Sequence, residues 1–317
     1  MDVRTLPVHS ENQWFQRVIT LKTNRQKRGS LGQFFVEGVR SINQLRRGRG
    51  EQGSGPGERG APPSRGEQGS ARPAWQVDAL LYSADRRLSG WARDVLEEVP
   101  TPLHLELAPD LMDKLSDKED GSEIIAIVKI PRIGLSDLAP GGDGAVVVLD
   151  RPGNPGNLGS IIRSCDALGC SGIVIFGHAV DLFDPQVIRA SAGAFFSVPV
   201  ARVSDRAALD GWMGGLEKAE ARTRIVGTSA KASRMVCDCD LRGPVVICFG
   251  NETLGLSAWL KERCHELVGM RMRGAATSLN LACAVTAVLY EAARQKEPRQ
   301  KEPQRPRGSG ELGAEGG

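Results

Sequence analysis

The chain has 317 residues, 40% hydrophobic and 5% aromatic, and a formal net charge of +3. That length and apolar content allow two domains with largely aliphatic cores, and no apolar run approaches the ~18 residues of a membrane span. The seven cysteines are odd in number, several lie inside apolar runs, and neither Cys237-Asp238-Cys239 nor Cys264-His265 has a second pair at zinc spacing. A disulfide framework and a metal site are therefore not expected; with no secretory segment at the start, a reducing cytoplasm is.

Charge is unevenly distributed. Residues 1 to 48 hold nine Lys or Arg against Asp2, Glu11 and Glu37, an excess of six. This asymmetry points to a polyanion such as nucleic acid, a solvated basic face being the alternative. From Asn12 to Arg28, apolar Trp14, Phe15, Val18, Ile19 and Leu21 interleave with Arg17, Lys22, Arg25, Lys27 and Arg28 at helical spacing, which predicts one helix with a buried and a basic face. Gln33 to Glu37 reads as a strand, and Gly38 opens a short helix carrying Arg40. Residues 47 to 73 are mostly Gly, Arg, Glu, Pro, Ser and Gln, with Arg-Gly-Glu-Gln-Gly-Ser at 49 to 54 and again at 65 to 70. Such a segment buries too little apolar surface to offset chain entropy and is expected to be a disordered insertion.

Order is expected to resume at Gln76: strand 77 to 82, helix 88 to 99, strand 103 to 107, helix 109 to 115 and strand 123 to 130. Residues 1 to 135 thus form a small α/β domain, ending in a linker punctuated by Pro131, Pro140 and Gly141-Gly142. Residues 144 to 296 alternate strand and helix: strands at 145 to 150, 172 to 176, 198 to 203, 223 to 228, 244 to 249 and 266 to 270, and helices at 157 to 168, 185 to 193, 205 to 221, 257 to 264 and 278 to 294. This alternation predicts a mostly parallel sheet covered on both faces, with a site beyond the carboxyl ends of its strands. The last helix, uniformly apolar, is expected to be buried. Residues 297 to 317, with their repeated Gln-Lys-Glu-Pro and Gly-rich end, are expected to be a disordered tail.

Three loops fall at strand ends: Gly153 to Arg163, Gly250 to Ser257 and Gly269 to Asn280. The first reads G-x-x-G-x-x-G with Pro152 just before it and Pro155 inside it, which meets neither the dinucleotide fingerprint nor the P-loop. Each polar residue in these loops has an ordinary reading. Asn157, Ser278 and Asn280 stand where helix caps stand, and Glu252 stands where an acid complements a helix dipole.

Taken together, Asn157-x5-Arg163, Gly250-Asn251-Glu252-x2-Gly255-Leu256-Ser257 and Ser278-Leu279-Asn280 before an apolar helix resemble the three motifs of the SpoU, or TrmH-like, branch of the SPOUT RNA methyltransferases. The resemblance spans about 145 to 296. It departs at Met270-Arg271-Met272, where the family usually has Ile-Pro-Met. It implies a trefoil-knotted α/β domain, S-adenosylmethionine as methyl donor, an RNA ribose 2′-hydroxyl as acceptor and a homodimer. By position it assigns Arg163, Asn157, Glu252, Ser278 and Asn280 to catalysis, and Gly250, Met270, Leu279, Gly227 and Thr228 to the cofactor, the last two as a turn. The basic segment 12 to 47 with Phe35-Val36-Glu37-Gly38 is similar to the ribosomal-protein-like RNA-binding domain that many members carry. Arg17, Lys22, Arg25, Lys27, Arg28 and Arg40 are its candidate RNA contacts.

Asp150-Arg151-Pro152, Pro155 to Ser164, Leu88-Ser89-x-Trp91-Ala92-Arg93 and Leu289-Tyr290-Glu291-Ala292 look more closely like members that methylate 23S rRNA uridine ribose in avilamycin resistance. A tRNA substrate, and a non-catalytic RNA- or ribosome-binding protein on the same fold, are the alternatives. A guanidinium gives up its proton only reluctantly, so Arg163 is expected to act as a cation on the substrate phosphate and developing alkoxide while the phosphate or a water takes the proton.

Overall fold

The computed structural model describes residues 3–47, 74–117, 121–141, 144–219 and 223–297. The expectations for residues 48–73 and 298–317 lie outside the described residues.

The first part of the chain runs β1 (Arg4–Val8), α1 (Gln13–Thr23), α2 (Arg25–Leu31), β2 (Gln33–Glu37), α3 (Val39–Arg47), β3 (Val77–Ser83), α4 (Gly90–Glu98), β4 (Leu103–Leu107), α5 (Pro109–Leu115) and β5 (Ile125–Lys129). Its five strands form a mixed sheet in the order β1-β4-β3-β5-β2, with β5 antiparallel to both neighbours. Residue 47, expected to open the insertion, closes α3.

The single helix expected from Asn12 to Arg28 is two helices. Asn12 caps α1 by accepting from the N–H groups of Trp14 and Phe15 (3.0 and 3.3 Å). Asn24 sits in extended backbone and caps α2 through Lys27 N–H (3.1 Å). An asparagine side chain competes with the helical backbone for that N–H, which ends one helix and starts the next. The strand β1 was not predicted; it is a short edge strand that tolerates Pro7 because an edge need not donate.

The second part runs β6 (Ala145–Asp150), α6 (Pro155–Ala167), β7 (Gly172–Phe176), α7 (Pro185–Ala190), β8 (Val200–Val203), α8 (Arg206–Lys218), β9 (Arg224–Thr228), β10 (Arg234–Met235), β11 (Val245–Phe249), α9 (Ala258–Arg263), β12 (Glu266–Gly269) and α10 (Leu281–Lys296). Its strands pair throughout in parallel, in the order β10-β12-β9-β11-β6-β7-β8. β6, β7 and β11 are buried at every residue, as expected of strands covered on both faces.

One core cluster runs through both sheets, joining Phe34, Val36 and Val128 of the first to Val147 and Ile173 of the second and to Phe195 in the turn between α7 and β8. The junction concentrates the chain's scarce aromatics. The Phe34 ring lies 4.9 Å from Phe183 and 5.8 Å from Phe195, and Trp75 lies 5.0 Å from Phe196, whose carbonyl accepts from the indole N–H (3.0 Å).

The last helix differs from its expectation. It begins at Leu281 rather than 278, and only the face of Leu281, Ala282, Val285, Val288, Leu289 and Ala292 is buried. Cys283, Thr286, Ala287 and Tyr290 are exposed. Among the described residues no helix is long and apolar enough to cross a membrane, and no group of three or more His, Cys, Asp or Glu is placed to hold a metal ion.

Candidate active site

The parallel sheet runs outward from β6 to β7 and β8 on one side, while on the other β11 is inserted between β6 and the earlier β9; crevices in such sheets open beyond the carboxyl ends of the strands where the strand order reverses. There the ends of β6, β11, β9 and β12 stand side by side, bringing together Asp150, Gly250, Gly227-Thr228 and Met270.

The loops after β6 and β11 are clamped to each other by side chains. Asp150, 1% exposed, accepts from Ser257 N–H at 2.6 Å and from Arg151 Nε at 2.7 Å. Arg151 takes a left-handed backbone (φ 56°), and its carbonyl accepts from Asn251 Nδ2 at 2.8 Å. Asn251 Oδ1 in turn accepts from Thr253 and Leu254 N–H, both at 3.0 Å, and so shapes its own loop. The loop folds back so tightly that a Cβ on Gly250 would lie 2.0 Å from Gly255 C and Leu256 N. Only glycine permits that approach.

Glu252 and Asn157 together then join three loops. Glu252 Oε2 accepts from Gly153 N–H (3.1 Å) and its Oε1 from Asn157 Nδ2 (3.1 Å). Asn157 Oδ1 accepts from Asn280 Nδ2 (2.9 Å), while Asn280 Oδ1 caps α10 through Ala282 N–H (2.9 Å). Burial pushes the Glu252 carboxyl up, but hydrogen bonds from Asn157 and from backbone N–H groups, among them Gly153 and Asn154, prevail and hold its pKa below the usual carboxylate value. Arg163 is exposed on α6. With Asn157, Ser160, Asn280, Cys283 and Tyr290 it lines an open groove of about 960 Å³ between α6 and α10. Among the described residues Arg163 has no carboxylate within ion-pair distance.

The segment 271–279 is exposed except for half-buried Met272, and none of its backbone groups bonds to another described residue. Nine consecutive residues thus offer backbone donors and acceptors directly after β12, the neighbour of β9. This donor set fits a ligand held largely by main-chain groups.

Residues 144–290 match the SpoU rRNA methylase family, and residues 67–126 match the SpoU L30e-like domain. Over 290 residues, 91% of this chain and 92% of the relative, the sequence is 37% identical to the 23S rRNA (uridine(2479)-2′-O)-methyltransferase of Streptomyces viridochromogenes. The chain belongs to the SpoU rRNA methylase family. Its fold is similar to the crystal structure of the Streptomyces viridochromogenes SpoU methyltransferase AviRb in complex with AdoMet (TM-score 0.77, 38% identity, 90% of this chain and 98% of that one). It is also similar to an AdoMet-bound rRNA methyltransferase from Sinorhizobium meliloti (TM-score 0.75, 25% identity, 92% and 98%). The SpoU fold and its L30e-like N-terminal domain, expected from the motifs, are therefore present.

Within this SpoU frame the structure unites some expected site residues and separates others. Asn157, Glu252 and Asn280 form one hydrogen-bonded chain, whereas Glu252 bonds Asn157 rather than Arg163. Asn157 does not cap α6; Asn154 does, accepting from Asn157 N–H at 2.9 Å with Pro155 following at the first helical position. Ser278 and Leu279 are exposed in the backbone-rich loop, Leu279 at 43%. Gly227 and Thr228 are not a turn but the last residues of β9, and the Thr228 hydroxyl donates to Cys248 O (3.0 Å). A Cβ on Gly227 would lie 2.6 Å from Leu267 Cδ2 and 2.8 Å from Cys264 Sγ, so close packing explains that glycine.

Of the basic candidates, Arg17, Arg25, Lys27 and Arg40 are exposed. Lys22 is held by Asp117 (2.6 Å) and Leu115 O (2.7 Å). Arg28 is 2% exposed and cannot reach RNA: it donates to Asp181 Oδ2 (2.8 Å) and to the carbonyls of Leu21 and Lys22 (2.9 Å each). Sequence reasoning left Asp150 and Asn251 without roles. The signal for Asp150 was a carboxylate closing an otherwise apolar strand.

Proposed function

We propose that this protein transfers a methyl group from S-adenosylmethionine to a ribose 2′-hydroxyl of 23S rRNA. The observation that carries the reading is the Glu252–Asn157–Asn280 chain, which fixes all three loops of the motif set around one groove with Arg163 on its wall. S-adenosylmethionine supplies an electrophilic methyl carried on a sulfonium. Gly250, Met270, Leu279 and the backbone of 271–279 would hold it, with Gly227 and Thr228 beneath.

Arg163, as a guanidinium, clamps a substrate phosphate and stabilises the alkoxide that develops at the ribose oxygen, while that phosphate or a water accepts the proton. Asn157, bound on both sides, positions rather than reacts, and Ser278 offers its hydroxyl to the target nucleotide. Positioning is the larger part of the task, since an aliphatic hydroxyl is a weak nucleophile unless held in line.

The same reading carries a C-terminal trefoil knot, a cytoplasmic location, antibiotic protection through the modified ribosome and a homodimer. Support for the dimer comes from the exposed α10 face of Cys283, Thr286, Ala287 and Tyr290 continuing into α6 at Ser160, Arg163 and Ala167. RNA is met by the exposed Arg17, Arg25, Lys27 and Arg40, and the division into residues 1–135 and 144–296 assigns docking to the first unit and chemistry to the second.

The test is transfer of labelled methyl from S-adenosylmethionine to separated 23S, 16S and tRNA fractions, with nucleoside analysis. A 2′-O-methylnucleoside in 23S alone is expected; label confined to tRNA would refute the substrate, and absence of S-adenosylmethionine binding would refute the reaction. Arg163→Ala is expected to lower transfer by orders of magnitude with cofactor affinity nearly intact, and equal losses in both would remove Arg163 from substrate activation.

A further inference from the structure

A second cavity, about 1200 Å³, opens between α2 and the β7–β8 edge of the parallel sheet. Its floor is apolar, with Trp75, Phe183 and Phe195, and its walls carry Arg25 from α2, Arg132 from the segment joining the sheets, His178 from the loop after β7 and Arg202 from β8. Two carboxylates, Asp137 and Asp181, also line it. Asp181 is engaged by Arg28 at 2.8 Å and lies 3.9 Å from Arg202, and Asp137 accepts from Gly134 N–H at 2.8 Å.

Among the described residues Arg25 and Arg132 are left without close counter-charges, whereas Arg202 shares Asp181 with Arg28. Arg25 donates to the Ala179 carbonyl (2.9 Å), a contact that fixes its head without neutralising it. Among the described residues no carboxylate lies within 4.0 Å of a guanidinium nitrogen of Arg25 or Arg132. Partial burial and the nearby Arg25 charge depress the Arg202 pKa against the opposing pull of Asp181, so two guanidinium groups crowd one another at the cavity wall while both still reach solvent. Such an arrangement is stabilised by an anion.

The cavity adjoins the candidate active site through a short loop. Arg151 N–H donates to Phe176 O and Val180 N–H to Pro152 O, both at 2.9 Å, so the segment holding His178 packs on the loop that carries Asn157. Its volume exceeds that of pockets for drug-sized ligands, and its cations come from separate elements, which suits successive phosphates of a polymer better than one small anion.

We propose that this cavity binds the phosphodiester backbone of the RNA strand flanking the target nucleotide, with Arg25, Arg132 and Arg202 as the phosphate contacts. The inference rests on the RNA-methylating reading above. It makes the catalytic unit itself, through Arg202, part of substrate docking.

The experiment compares wild type with the R25A/R132A/R202A variant and a K218A/K261A surface control for 23S rRNA affinity across a salt series, S-adenosylmethionine affinity and methyl-transfer kinetics. The site variant is expected to lose at least about tenfold in RNA affinity, and the slope of log K against log salt to flatten by about 2, since each single-strand phosphate contact contributes roughly 0.7. KM should rise while kcat and cofactor affinity hold, with the control unchanged. Because the variant can fail to fold, wild-type protein is also treated with an arginine-modifying dicarbonyl with and without RNA, and RNA should protect Arg25, Arg132 and Arg202. Unchanged affinity and slope with no protection, in a protein that methylates 23S rRNA, would overturn the cavity assignment alone. Wild type that neither binds nor methylates RNA would overturn the reading beneath it as well.

Discussion

Asn157 shows how little of a residue's work its position in a motif reveals. It begins no helix; its amide is divided between Glu252 and Asn280 on two other loops. Asn157→Ala leaves Glu252 Oε1 without its side-chain donor, while Oε2 keeps Gly153 N–H, and is expected to destabilise the fold by about 1 kcal/mol, as for one partly exposed hydrogen bond. Methyl transfer should fall much more, at least about tenfold, because the three loops lose their common tie; thermal unfolding and the transfer assay separate the two effects. Glu252 gives a pH signature. Its folded-state pKa is held below the ordinary 4.5, so its contribution is fully present above that value and is lost as pH falls through the folded pKa. Glu252→Gln should therefore narrow its stability gap to wild type as denaturation is moved to acid, and a gap constant from neutral pH into acid would contradict the assignment.

At the scale of elements, α10 is the informative case. Its composition reads as fully buried, yet the protomer covers only one face and leaves Tyr290 at 63% exposure. Apolar composition records what must be buried in the assembly, whereas the protomer's coordinates record only what its own chain covers. If the proposed dimer forms through this face, Tyr290→Asp is expected to give a monomer in light scattering where the wild type is a dimer and to leave the circular dichroism of the protomer unchanged; a persistent dimer would move the interface off this helix, and a monomeric wild type would refute the dimer. The α1–α2 break teaches the converse. Helical periodicity continues through Asn24, and only the local capping bond interrupts it.

At the scale of the whole molecule, Arg28 and the aromatic cluster join the two sheets. Arg28 reaches Asp181, 153 residues away, with both side chains buried. Arg28→Ala strands the Asp181 carboxylate in the junction and is expected to cost about 3–5 kcal/mol in chemical denaturation. A cost below about 1 kcal/mol would mean that water or Arg202 takes over. Both β2 and α7 lie at this junction, so loosening it should also raise the KM for RNA before it affects cofactor binding.

The sequence by itself determined the local and repetitive features: apolar runs gave the fully buried strands β6, β7 and β11, their alternation with helices gave the parallel sheet, and three spaced motifs gave the family. Each follows from short-range periodicity or from residue identities at fixed offsets, which one chain displays directly. Only the tertiary structure decided which charges meet solvent and which side chains meet each other. A basic stripe looks the same whether a partner element covers it or not, so Arg28 read as a surface cation until Asp181 was found beside it. Likewise Asp150 and Asn251 became visible as clamps, and Arg132 and Arg202 as neighbours of one cavity, only when folding brought together residues that the sequence keeps far apart.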